Sequence, residues 1–160
     1  MRTLVTTAVF LLALASAAPG QKYSGPRPPK PDVPFLLHAD SLVPTEAAEA
    51  KEEPVKNDLM YSINGAESSA KTPLASPVFL IEADKLAPDK LELYRLEVKN
   101  GRRQVSFSKK RQKDSSRAIR TILNRLDGNL YKLEVQQSLE NGEYSLTPSG
   151  SNQVFCFQVY

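Results

Sequence analysis

Apolar and polar residues alternate with a period of two over most of this chain, and that period predicts strands. In Arg102–Ser108, Val105 and Phe107 fall on one side while Gln104 and Ser106 fall on the other. Tyr131, Leu133 and Val135 alternate in the same way with Lys132, Glu134 and Gln136. Together with the apolar runs, the pattern predicts strands at 33–37, 59–64, 78–83, 91–99, 102–108, 118–126, 129–137, 143–147 and 152–160. Asn64-Gly65, Asn100-Gly101, Asn141-Gly142 and Asp127-Gly128 punctuate them, and such pairs tolerate the positive φ angles of tight hairpin turns. The clearest hairpins are 91–99 with 102–108 and 118–126 with 129–137. Short strands without intervening helices predict an all-β antiparallel β-sandwich, immunoglobulin-like in general plan, with about 7–9 strands.

One segment departs from that pattern. Residues 45–53 read as a short helix, with Thr45 as N-cap, Glu46 and Glu49 in the first turn and Pro54 as its stop. Its only apolar side chains are alanines, which predicts a surface position. Gly142-Glu143-Tyr144 places a tyrosine two residues after a glycine at the start of a strand. That position in a sandwich carries a tyrosine corner, whose hydroxyl bonds back to the chain upstream, so Tyr144 is expected to serve the fold.

The chain start reads as an export signal. Arg2 is followed by the apolar run Val5–Ala15, and Ala15-Ser16-Ala17 fits a cleavage site. The organisation expected is a signal peptide at 1–17, a proline-rich extended spacer at 18–32, and a single sandwich domain at 33–160. The destination is periplasmic or extracellular. The apolar run is too short to span a bilayer and no second long run follows. Cys156 is the sole cysteine, so the domain has no internal disulfide, and no cysteine stands at the cleavage site to take a lipid. Flanked by Phe155 and Phe157, Cys156 is expected either as a buried inert thiol or as one half of an intermolecular disulfide.

Charge sharpens the picture. Residues 40–97 hold twelve acids against six bases, whereas 99–125 hold ten bases against Asp114 alone. Such segregation points to an anionic partner or to two halves that attract each other. The candidate binding residues are Lys109, Lys110, Arg111, Lys113, Arg117 and Arg120, on the loop between the two hairpins. They suit an acidic protein or an anionic envelope polymer. Nucleic acid is not expected, because no aromatics interleave for base stacking. The competing reading is a solvated loop whose lysines guard strand edges.

No catalytic set stands out. Ser68-Ser69-Ala70-Lys71 has the S-x-x-K spacing of penicillin-binding enzymes, but the companion S-D-N and K-T-G motifs are missing. His38, the one histidine, lies near Asp40 and Ser41, and neighbours on a strand point to opposite faces. One His and one Cys fall short of a zinc site. The acids between Glu46 and Glu53 lack a calcium-loop pattern. No cofactor or metal is expected, and no enzymatic activity.

The run Leu139-Glu140-Asn141-Gly142-Glu143-Tyr144-Ser145-Leu146, the closing Phe155-Cys156-Phe157 and the block Leu93–Lys99 resemble an uncharacterised family of exported β-sandwich proteins of acidobacterial type. The resemblance implies an exported β-sandwich and no established activity. The expected function is therefore a non-catalytic extracytoplasmic interaction module that recruits an anionic envelope partner through the basic loop. A structural subunit of an envelope assembly that pairs by strand edges is the alternative, and an unrecognised hydrolase comes third.

Overall fold

The computed structural model describes residues 22–109 and 116–160. The expected signal peptide lies outside these residues. Thirteen strands account for most of the fold: β1 (Phe35–His38), β2 (Ser41–Pro44), β3 (Glu46–Glu49), β4 (Lys51–Val55), β5 (Asp58–Asn64), β6 (Lys71–Thr72), β7 (Val78–Glu82), β8 (Leu91–Lys99), β9 (Arg102–Ser108), β10 (Thr121–Asp127), β11 (Leu130–Val135), β12 (Gly142–Pro148) and β13 (Gln153–Val159). A one-turn 3-10 helix at Pro88–Lys90 is the only helical piece among the described residues. No described helix is long and apolar enough to cross a membrane.

The strands form two sheets, antiparallel as the alternation predicted except where the two-residue β6 runs parallel to β13. One has five strands in the order β10-β11-β7-β1-β2, and the other has eight, in the order β3-β13-β12-β8-β9-β5-β4 with β6 beside β13. Their facing sides bury one cluster. Phe35, Leu36, Phe79, Ile81 and Leu133 of the smaller sheet meet Leu93, Tyr144, Leu146, Phe155 and Phe157 of the larger. Phe157 anchors this layer, edge-on to Phe79 at 5.1 Å and stacked on Tyr144 at 5.6 Å. The Tyr144 hydroxyl donates to Glu140 O at 2.8 Å, the tyrosine corner expected of it.

The larger sheet also closes on itself. β3 pairs with β13 at one edge and β4 pairs with β5 at the other, and only Ala50 separates β3 from β4. A single run of chain from Glu46 to Val55 is thus both edges of the sheet. The result is a rolled sheet with its own interior, a second cluster of Ala50, Ile63, Leu96, Val105, Val154 and Cys156. Closure removes the exposed edges that an open sheet would carry. Between β8 and β9 the ladder holds only from Glu97↔Gln104 to Lys99↔Arg102. Beyond that point the strands splay, and residues 116–119 fill the seam: Ser116 N–H donates to Ser106 O and Ile119 N–H to Leu93 O.

Closure explains why 45–53 is not the helix its composition suggested. A helix this short, with no apolar stripe, gains little from tertiary packing. As a strand the segment completes ladders on both sides, and its alanines suit the crowded interior. The Thr45 hydroxyl, read as an N-cap, instead donates to Pro34 O at 2.7 Å. The count of thirteen strands exceeds the seven to nine expected because β2, β3, β4 and β6 were not legible as strands. Of the four turn pairs, Asn100-Gly101 (φ 52° and 72°) and Asp127-Gly128 (Gly φ 52°) make the β8–β9 and β10–β11 hairpins. Asn64-Gly65 instead leads into the 65–70 loop, and Asn141-Gly142 opens β12.

The described part of the proline-rich stretch lies against the five-stranded sheet. Pro28 is buried, and Arg27 pairs with Glu82 and Asp127. Asp32, at φ 60°, accepts from the backbone N–H groups of Asp84, Lys85 and Leu86 at 2.8–3.1 Å. Slight burial pushes its carboxyl up, but these three donors outweigh that and hold it below the usual carboxylate range.

Candidate functional site

The interior of the rolled sheet follows from register alone. Cross-strand partners share a face, so the pairs Ala48–Val154, Glu46–Cys156, Ser145–Cys156, Ser145–Tyr94, Thr147–Glu92, Val105–Tyr61 and Tyr61–Glu52 all face inward. Down the axis this gives three layers: a rim of Glu52, Glu92, Tyr61, Tyr94 and Phe107, an apolar middle, and a charged floor.

The floor is built on Arg103, whose side chain is 1 % exposed. Its guanidinium donates to Glu46 Oε1 at 2.6 Å, Ser68 Oγ at 2.7 Å, Asn64 O at 2.9 Å and Gly65 O at 3.0 Å. Glu143, also buried, takes the Ser68 N–H and hydroxyl on Oε2, which lies 3.9 Å from the guanidinium. Burial raises the Glu46 carboxyl. The Arg103 guanidinium and the Ser69 N–H more than offset that and leave it below the ordinary carboxylate value. Glu143 Oε1 and Gln158 Oε1, neighbours across β12 and β13, accept no hydrogen bond from the described residues. The 65–70 loop thus seals this end.

The other end is open. A cup of about 340 Å³ is lined by Glu52, Tyr61, Glu92, Tyr94 and Phe107 on one side. Ser145, Thr147 and the turn Ser149–Asn152 line the other. Its volume falls within the usual range for small-molecule pockets, roughly 300–1,000 Å³. Phe107 stands edge-on to both tyrosines, 5.9 Å from Tyr61 at 74° and 5.2 Å from Tyr94 at 85°. The Tyr94 hydroxyl donates to Glu92 Oε2 at 3.0 Å, and burial followed by that carboxylate pushes the phenol up to about 12. Tyr61 is raised in the same way, by burial and by the facing Glu52. Ala50, Ile63, Val105 and Val154 form the base.

Cys156 lies below that base, fully buried, and burial pushes its thiol up to about 12 despite nearby Arg103. It faces away from Phe155 and Phe157, as the alternation required. An inert thiol is what this geometry makes.

Of the basic residues singled out from sequence, Lys110, Arg111 and Lys113 lie outside the described residues. Lys109, Arg117 and Arg120 are exposed. The segment that holds them passes from the closed sheet to the five-stranded one. Lys109 N–H donates to Asn57 O at 3.0 Å, which puts the start of the basic stretch beside the β4–β5 turn, at the cup end. Arg103, counted among the same charges, is instead buried in the floor.

The catalytic combinations weighed from sequence are otherwise engaged. Ser68 belongs to the floor, while Lys71 pairs with Glu67 at 2.7 Å on the surface. His38 and Ser41 become partners across the tight β1–β2 turn, a convergence that strand alternation alone did not anticipate. The imidazole Nε2, however, hydrogen-bonds Thr72 Oγ1 at 2.9 Å. Among the described residues no group of three or more His, Cys, Asp or Glu side chains could hold a metal.

The cup residues escaped sequence reading because they come from six strands and one turn. A signal was present. β8 carries apolar side chains on both faces (Leu91 and Leu93 against Tyr94 and Leu96), and Val154–Phe157 is apolar throughout. Strands like these are covered on both sides. A scan against protein-family models and searches of curated proteins and of solved structures find no match to this chain.

Proposed function

We propose that this chain is an exported, non-catalytic binding module whose working part is the cup at the open end of the rolled sheet. The observation that carries this reading is the cup itself. It combines an apolar base, three convergent rings and two carboxylates in one concave site, the composition of a small-ligand pocket. The hydroxyls of Ser145, Thr147 and Ser149 add polar groups that fix orientation. An acid–base role for the tyrosines fits poorly, because Tyr94, held up to about 12, is far from the neutral pH at which a catalytic proton is exchanged.

The test is a nuclear magnetic resonance screen of the protein against a library of small soluble molecules. Hits that shift Tyr61, Tyr94 and Phe107 together are expected. Hits confined to Lys109, Arg117 and Arg120 would move the function to the basic stretch and its anionic partner. Heparin or anionic-vesicle binding lost on changing those three to Ala would do the same.

Strand-edge pairing is the second reading. Closure leaves β2 and β10 as the long-sheet edges of the smaller sheet, and β10 carries exposed Ile122 beside a bulge at Arg125–Asp127. Homo-oligomers that dissociate on Ile122→Lys would favour it.

A further inference from the structure

Resting on the cup reading, we infer that the ligand is an organic cation, an ammonium group carried on a compact apolar body. Four observations converge. First, among the described residues the cup is lined by two carboxylates, Glu52 and Glu92, and by no Lys, Arg or His. The charge this described lining offers an entering ligand is therefore negative. Second, among the described residues those carboxylates have no cationic partner within the cup: Glu92 accepts from the neutral Tyr94 hydroxyl, and Lys51 turns outward to pair with Glu53 at 2.8 Å.

Third, three aromatic rings line the cup. Tyr61 and Tyr94 each lie nearly perpendicular to Phe107, so neither is stacked on it. Aromatic rings attract cations through the ring quadrupole, most strongly where water is excluded. A phenol that donates its proton to a carboxylate gains electron density, which makes the Tyr94 face a better partner for positive charge. Fourth, the base is aliphatic. A purely inorganic cation would find no oxygen ligands there, whereas an organic body buries apolar area.

An anion would face both carboxylates, and a neutral ligand would leave their charge unanswered. The arrangement at the floor, where Arg103 lies between two carboxylates, is the same answer supplied from within the chain. At the rim the answering charge comes from outside.

The experiment titrates benzyltrimethylammonium, benzyl alcohol and benzoate separately into the protein, read by nuclear magnetic resonance and calorimetry. The cation is expected to shift Tyr61, Tyr94 and Phe107, and to bind more weakly as salt is raised. Glu52→Gln and Glu92→Gln, both near-isosteric and at the rim, are each expected to weaken it by about fivefold or more. Tyr61→Leu replaces an aromatic ring by an aliphatic side chain and is expected to weaken the cation by a larger factor than it weakens benzyl alcohol. Cup binding by benzyl alcohol or benzoate at least as tight as by the cation, indifferent to the two Gln variants, would overturn the cation assignment and leave the cup intact as a pocket. No shift at the three rings by any of the probes, at concentrations up to millimolar, would overturn the cup reading together with it.

Discussion

The floor and the rim of the rolled sheet are made by the same strands a few residues apart, yet they treat charge in opposite ways. On β9, Arg103 is inward and neutralised by Glu46 and Glu143, while Phe107, two inward positions further on, meets the tyrosines. On β12, Glu143 is sealed under the 65–70 loop while Thr147 lines the open cup. Buried charge at the floor is engaged within the chain, Glu143 Oε1 apart, and serves to close the fold. At the rim Glu92 accepts from the neutral Tyr94 hydroxyl, and no described Lys, Arg or His lines the cup with it. The difference shows that an ionisable residue on an inward face is structural or available according to its layer.

The largest expected effect breaks the floor. Arg103→Met strands two carboxylates in a low-dielectric site and should cost about 3–5 kcal/mol, read from denaturant midpoints. A near-neutral result would mean that the floor is not a cooperative charge network. Less costly is the loss of the tyrosine corner in the outer core, which separates the contribution of the sandwich layer from that of the floor. Tyr144→Phe keeps the stack on Phe157 and removes one hydrogen bond, worth about 1 kcal/mol.

Acid should separate the two ends as well. The folded value of Glu46 lies below its ordinary 4.5, so its contribution is fully present above that value and is lost as pH falls through the lower folded one. Arg103→Met should remove that part of the acid sensitivity, whereas Glu92→Gln should not. At the other extreme, Tyr94 keeps its proton to about 12 when folded. The stability it supplies is present below the ordinary phenol value and declines as pH rises toward the folded one, which a tyrosinate absorbance titration can follow. The smallest effect is at the rim: Glu92→Gln should change stability by within about 0.5 kcal/mol. Cys156 gives a matching probe, since a thiol reagent should label it in unfolded protein and spare it in native protein.

How much of this was legible in the sequence follows the same division. The outer sandwich could be read because Tyr131, Leu133 and Val135 keep strict alternation, and Tyr144 carried its own local signature. The rolled interior could not be read fully, because its key strand is written in alanines and glutamates. Ala48 and Ala50 are small where two ladders crowd together, and in composition that looks like a helix. Arg103 lay within reach: it shares the Val105 and Phe107 face by simple alternation, but its charge grouped it with the surface bases. The cup needed strand order, since Glu52 and Glu92 come together only when the sheet rolls.

The double use of residues 46–55 has a consequence in time. β4 finds β5 across a two-residue turn, a contact made quickly and locally. β3 must wait for β13, whose residues Phe155 and Cys156 meet Ala47 and Glu46 from across most of the chain's length, and such distant pairings are the slow ones. The cylinder is therefore expected to shut late, with the Arg103–Glu46 pair and the full wall of the cup acquired in that step, an order that pulsed hydrogen exchange at β3 and β13 would read.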